Sequence, residues 1–358
     1  MKVSAALFIF LLAMFLLVPA AWAHVPIIPE GNENISSAMH ISDPGKSWAI
    51  YGFLRAEAAQ YYSFDVEMGQ QIFLSLLKSA DRQEMDFHPE MALLGSGVKT
   101  AGQLPDHVIL PKSTKDFGIM TTAGKSAFNA TYEPFGPSSY MEIAVLDTAA
   151  PESGRYYVAV YDHAAPGHYA LTVGSREEFS FTERITMPIR LISVYLWEGQ
   201  SLGMILIPYL AAELAAILIF WRGPRRTAFR LAGTLAGFLF LATSASVFTQ
   251  MVFSLTRVPF GPEVYISLAV AVFHAFLGVA SLRLASGEAG ILQRILLAVI
   301  GTTALLAGSG LIMGPILAIA ASVLPSMRGP VLKNASNGPQ SSGIVLIFFS
   351  MTHTRPPL

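Results

Sequence analysis

Four apolar stretches, each long enough to cross a bilayer as a helix, dominate the second half of the chain, at about residues 201–220, 231–253, 264–284 and 295–324. A helix rises about 1.5 Å per residue, so about 20 apolar residues cover a hydrocarbon core about 30 Å thick. The region from 201 to 324 holds only ten charged side chains and neither Lys nor Asp. We therefore predict an all-α transmembrane domain of four helices over these residues. The fourth stretch contains Gly308, Gly310, Gly314 and Pro315, which predict a tilt or kink.

The arginines predict the orientation of these helices. The first connection carries four arginines and the third is flanked by two, whereas the second has Arg257 against Glu263. Cytoplasmic loops are enriched in Lys and Arg. The first and third connections are therefore predicted to be cytoplasmic, which places the region before the first helix and the tail after residue 324 outside the cell membrane.

Residues 1–23 have the features of a secretory signal peptide. Lys2 precedes an apolar run, and Ala21-Trp22-Ala23 matches a small-x-small cleavage site. Cleavage there would make His24 the first residue of the mature chain, although an uncleaved anchor helix is the other interpretation. The chain has no cysteine, so we expect a hydrophobic core to hold the exported domain without disulfides.

Residues 24–174 show a different pattern, in which short alternating segments are separated by turn residues. Ile72, Leu74 and Leu76, for example, fall on one face of a predicted strand, as in a sheet with one buried side. We predict an exported antiparallel β-sandwich, jelly-roll-like, over these residues. A juxtamembrane connector at 175–200 joins it to the helices, and a tail at 325–358, rich in Gly, Ser, Asn and Pro, is predicted to be disordered.

Three segments of the exported half carry a family resemblance. They are AQYYSFDVEMGQQIFLSL at residues 59–76, GRYYVAVY at 154–161 and GHYALTVG at 167–174. These segments resemble the pre-peptidase C-terminal (PPC) family of exported β-sandwich modules, whose pattern places YYSFDV-x-x-GQ early and G-x-YYV, then G-x-Y-x-L-x-V, at the end. The resemblance implies a β-sandwich with an accessory, non-catalytic role. The chain departs from the family because a membrane region takes the place of an attached hydrolase.

The leading functional prediction is a membrane-anchored extracytoplasmic binding or accessory module that is not an enzyme. No HExxH, GxSxG, Walker, GxGxxG, EF-hand or CxxC motif is present. A net charge of −1 without a basic block argues against nucleic acid as a partner. The expected partners are the lipid bilayer and a protein, glycan or small ligand outside. A further alternative is an accessory subunit of a larger complex, assembled as a homo- or hetero-oligomer through its helices.

Histidines of the exported half support an alternative prediction, the binding or handling of copper or another transition metal. The free amine and imidazole of His24 chelate copper together if cleavage follows Ala23, and His163 and His168 flank a turn. These residue types permit a metal site but do not require one. The other interpretation is that the three histidines are polar loop and strand-end residues.

Two ionisable residues lie inside predicted spans. Glu213 is near the middle of the first span and His274 near the middle of the third, where such groups are costly and often functional. If the two helices pack side by side, the pair forms a hydrogen bond that serves a proton or cation path. A structural polar contact between helices is the other interpretation.

Overall fold

The computed structural model describes residues 24–110, 114, 116–122, 130–223 and 226–325. The predicted signal peptide, and the predicted tail from residue 326 onward, lie outside these residues. All described residues belong to one compact unit.

Residues 25–173 form a two-layer β domain, as the alternating pattern predicts. Its strands are β1 Val25–Ile27, β2 Met39–His40, β3 Trp48–Leu54, β4 Ala59–Val66, β5 Gln71–Ser79, β6 Glu90–Gly95, β7 Gly118–Thr122, β8 Thr131–Glu133, β9 Ser138–Ala149, β10 Gly154–Tyr161 and β11 Gly167–Val173. Sheet A has the order β1-β3-β11-β5-β9-β8 and sheet B the order β2-β4-β10-β6-β7. Pairing is antiparallel except between β1 and β3 and between β2 and β4, at one edge of each sheet.

The core of this domain lies between the two sheets. Phe64 of β4 and Leu74 and Leu76 of β5 are fully buried there because alternate residues of a strand point to the same face. Burying one such side chain contributes roughly 1.5–3 kcal/mol to folding. An apolar core on this scale explains how the domain folds without cysteine.

A helical region follows the β domain. Its helices are α1 Phe181–Trp197, α2 Leu202–Arg222, α3 Ala228–Leu255, α4 Val264–Ser286, α5 Ile291–Leu306 and α6 Met313–Val323. Three of the described helices, α2, α3 and α4, are long and apolar enough to cross a membrane, and they coincide with the first three predicted spans. α1 lies in the predicted connector. It begins with a capping box in which Ser180 and Glu183 bond each other's backbone amides.

The structure differs from the predicted fourth span, because α5 and α6 form a hairpin. Near the start of α5, Arg294 donates to the carbonyl oxygens of Ser322 and Leu324 at the end of α6, each at 2.8 Å. The two helices therefore run antiparallel. They are only about 24 Å and 17 Å long, too short to cross a core about 30 Å thick. The tip at residues 307–312 reverses the chain, with Gly308 and Gly310 both at positive φ.

The hairpin brings Pro325, the last described residue, next to the start of α3. There the Phe229 amide donates to the carbonyl of Pro325. The other end of α3, about 40 Å away, contacts the β domain, where Met251 packs against Tyr132. Pro325 therefore lies at the end of the bundle opposite the sandwich. The predicted tail itself lies outside the described residues, so its side of the membrane stays a prediction.

Candidate functional site

The three histidines predicted as metal ligands lie in different surroundings. Each has its own partner: Ser47 for His24, Glu90 for His163 and Glu84 for His168. Among the residues that the structure describes, no group of three or more His, Asp or Glu side chains is placed to hold a metal ion. The structure thus does not bring the predicted copper ligands together.

Glu213 and His274 do not form the predicted pair in the described part of the chain. Glu213 Oε1 and His274 Nδ1 are both buried atoms without a hydrogen-bond partner. His274 lines a cavity whose wall comes from α1, α2, α3, α4 and the hairpin tip, and Glu213, although it lies on α2, is not among the described residues that line it. The two groups must therefore be considered separately.

A buried joint fixes the sandwich to the helices just after α1. Glu198 is fully buried, and its Oε1 accepts a hydrogen bond from the Ser139 amide of β9 at 2.6 Å. Arg257, just after α3, donates to the Glu198 carbonyl at 2.9 Å and pairs with Asp81 at 3.6 Å. Gly199 has φ +86°, and a Cβ there would lie 2.6 Å from the Asp81 carboxylate. The close approach at the joint therefore requires glycine.

A second contact joins β8 to α4. Tyr132 Oη lies 2.6 Å from Ser267 Oγ, which donates to the Pro134 carbonyl at 2.5 Å. Met251 and Val264 pack around the Tyr132 ring. With α1, α3 and α4 all contacting the sandwich, its orientation on the bundle is fixed at several points.

A pocket of about 70 Å³, here called the outer pocket, lies between sheet A and α1. Its wall includes four aromatic rings, from Tyr51, Phe135, Tyr140 and Trp197. Tyr51 faces this pocket because its neighbour Ile50 points into the core. The Tyr51 and Trp197 rings meet edge to face with centroids 5.0 Å apart, and Trp197 is held by a bond from Nε1 to the Tyr169 carbonyl.

A carboxyl group and an imidazole, from Glu133 and His24, share the outer pocket with the rings. Burial raises the pKa of the Glu133 carboxyl, although the Phe135 amide donates to it at 3.2 Å. Among the described residues no Lys or Arg forms an ion pair with Glu133, and the negative charge of Glu177 raises the pKa of Glu133 further. Burial lowers the pKa of His24, so this imidazole is neutral at pH 7. The pocket therefore combines aromatic walls with an acid that has no basic partner among the described residues.

A second cavity, here called the inner cavity, has a volume of about 100 Å³ and lies between α1 and the membrane helices. Phe135 and Leu191 line both the inner cavity and the outer pocket. Of the five residues predicted from the sequence as site residues, His274 lines the inner cavity and His24 lines the outer pocket. The other three line neither. The sequence analysis missed Glu133, Tyr51 and Tyr140, because their proximity depends on strand order.

The comparisons with known proteins leave the geometry as the basis for function. No family model matches the chain. No curated protein is significantly similar to it. The resemblance to the PPC family accordingly stays a prediction.

Proposed function

We propose that the chain is a membrane-anchored extracytoplasmic binding protein, without catalytic activity of its own, that takes a small organic ammonium group in the outer pocket. The observation that carries the proposal is the Glu133 carboxyl, which lies among four aromatic rings without a basic partner in the described residues. The resemblance to the PPC family supports the non-catalytic role, and the arginine pattern supports an extracytoplasmic sandwich.

The chemistry of the pocket favours a cation over a neutral or anionic ligand. An aromatic face attracts an ammonium group by about 0.5–2 kcal/mol, depending on how far the cation is desolvated. A carboxylate adds a direct charge interaction and is itself stabilised in the ionised form by the bound cation. An anion would meet Glu133 with the same charge.

We expect the pocket to lie close to the membrane. α1 forms one wall of the pocket and leads through the joint into α2, the first membrane-capable helix. The ammonium group therefore comes either from a dissolved molecule or from a lipid headgroup. In the proposed orientation Pro325 lies at the cytoplasmic end of the bundle, opposite the sandwich.

The test is calorimetric titration of the full chain in detergent with choline, with its uncharged isostere 3,3-dimethylbutan-1-ol beside it. We expect choline to bind and the isostere not to bind. Glu133→Gln should weaken choline binding at least tenfold, while Glu67→Gln, which removes an exposed acid from the β4–β5 turn, should leave it unchanged. Equal binding of both compounds, or no binding of choline to folded protein, would refute the proposal.

A second arm separates the two sources of the ammonium group. The full chain is placed in nanodiscs of phosphatidylcholine or of phosphatidylglycerol, and the choline titration is repeated. If lipid headgroups fill the pocket, choline binds only in phosphatidylglycerol. If the ligand is a dissolved molecule, choline binds equally in both.

A further inference from the structure

The inner cavity lies deep in the bundle, where the hairpin tip meets α3. The Gly310 amide of the tip donates to Thr243 Oγ1 at 2.8 Å. Thr243 is 12 residues, or about 18 Å, from the sandwich end of α3 at Leu255, and about 22 Å from the other end. His274, on α4, is about 15 Å along its helix from Val264. The cavity therefore extends from Phe135, on the sandwich side, to Thr243 and His274 near the middle of α3 and α4.

The backbone of the tip is strained beside this cavity. Leu311 and Ile312 have φ of +50° and +68°, a region that branched residues rarely adopt. Irregular backbone at membrane depth is tolerated only where protein buries it or where it lines a cavity. Such strain persists only when the surroundings impose it, and it concentrates at ligand sites. Leu311 itself lines the inner cavity.

One residue that lines the cavity, His274, has a buried nitrogen without a hydrogen-bond partner among the described residues. His274 is 4% exposed, and its Nδ1 has no hydrogen-bond partner in the described structure. Tyr209, Thr243 and Ser246 also line the cavity, and the hydroxyl groups of Tyr209 and Thr243 already have hydrogen-bond partners. A buried polar atom without a partner is costly, so a ligand group that bonds His274 would be favoured at this place.

We propose that the inner cavity binds a neutral, mostly apolar molecule that carries one hydroxyl or carbonyl group, with this group hydrogen-bonded to His274. No Asp, Glu, Lys or Arg is among the described residues that line the cavity. Most of the wall is apolar, including Ile205, Val270 and Phe273. A charged ligand would be buried there without a counter-charge, which excludes ions.

The experiment is photoaffinity labelling of the full chain in nanodiscs with two matched reagents. Both are phenyl diazirines, one with a hydroxymethyl group and one with a methyl group in its place. We expect the hydroxymethyl reagent to label peptides of α3, α4 and the tip in a saturable way that excess benzyl alcohol prevents. The methyl reagent should label these peptides at least tenfold less.

Variants assign the selectivity to His274. His274→Phe should reduce labelling by the hydroxymethyl reagent about tenfold, and His274→Asn, which keeps a hydrogen-bonding group near the Nδ1 position, should retain it. Ser281→Ala removes a buried hydroxyl elsewhere on α4 and is the matched control. Glu67→Gln, which changes an exposed acid that lines neither cavity, should also have no effect.

Two results would overturn the proposal. One is equal labelling of the cavity peptides by both reagents. The other is labelling that stays unchanged in a folded His274→Phe protein. If His274→Phe does not fold, loss of the labelling in a folded His274→Asn protein overturns the proposal instead.

Discussion

The joint between sandwich and helices should weaken as pH rises, because it buries the Glu198 carboxyl. Burial raises the pKa of this group to about 7 from an ordinary value of 4.5, while the Ser139 amide and Arg257 act in the opposite direction. The perturbation is Glu198→Gln. An amide oxygen accepts from the Ser139 amide as the carboxylate does but never ionises.

The magnitude follows from the difference between the two pKa values. The closed joint binds the proton more tightly than the open one, so the stabilisation is complete below pH 4.5 and is lost as pH rises through 7. A difference of about 2.5 pKa units at 1.36 kcal/mol per unit gives about 3 kcal/mol. Above pH 7 the wild-type joint should therefore open about 300-fold more often than at pH 4.5.

Hydrogen exchange at the Ser139 amide measures this opening in the full chain. Comparing wild type with Glu198→Gln at the same pH cancels the intrinsic exchange rate. At pH 8 the variant should be protected up to about 300-fold more than wild type, and near pH 4.5 the two should be nearly equal. Glu67→Gln serves as the control. If the ratio of Ser139 protection between Glu198→Gln and wild type does not change with pH, ionisation of Glu198 is not what opens the joint.

Three further expectations can be checked separately. Choline affinity should fall as pH drops through the raised pKa of Glu133 and should not depend on pH in Glu133→Gln, as calorimetry between pH 8 and 5 will show. The chain lacks cysteine, so single cysteines can be labelled selectively with a membrane-impermeant maleimide in sealed vesicles. Met68→Cys should be labelled from one side, and Ser286→Cys and Ser322→Cys from the other. Labelling of Ser322→Cys from the Met68 side would contradict the hairpin. Lys78→Met should lower the free energy of unfolding by about 3 kcal/mol, measured by denaturant titration, because the ammonium group is the donor for three carbonyls in a 1%-exposed position.

The sequence predicts those parts of the fold that depend on local periodicity. Hydropathy and length alone specify α2, α3 and α4, and the alternation of residues such as Leu74 and Leu76 specifies strands with a buried face. The hairpin could not be predicted this way, because its two helices and tip together form one continuous apolar stretch, which has the same hydropathy pattern as a single span. Its tip is defined by a tertiary bond from Gly310 to Thr243. α1 was predictable, since Ser180 and Glu183 have the spacing of a capping box.

The site was less accessible to sequence reasoning than the fold. Histidine is a chemically versatile residue, yet His163 and His168 contact different carboxylates, those of Glu90 and Glu84. The outer pocket instead uses Tyr51 and Tyr140, from strands that are 89 positions apart in sequence and separated by two strands in sheet A. Only the strand order and the position of α1 over this sheet bring them to one pocket with Glu133.

Phe135 and Leu191 give the two proposed sites a common wall. Phe135 belongs to the sandwich, in the β8–β9 connection, and Leu191 to α1. A ligand that moves either side chain changes the shape of both sites, so occupation of one site must alter affinity at the other if the wall moves. Such coupling is reciprocal, because each ligand changes the binding free energy of the other by the same amount. The contacts at the joint hold the sandwich in one orientation on the bundle. A change at the outer pocket therefore reaches the inner cavity through Phe135 and Leu191 and not through rotation of the whole sandwich.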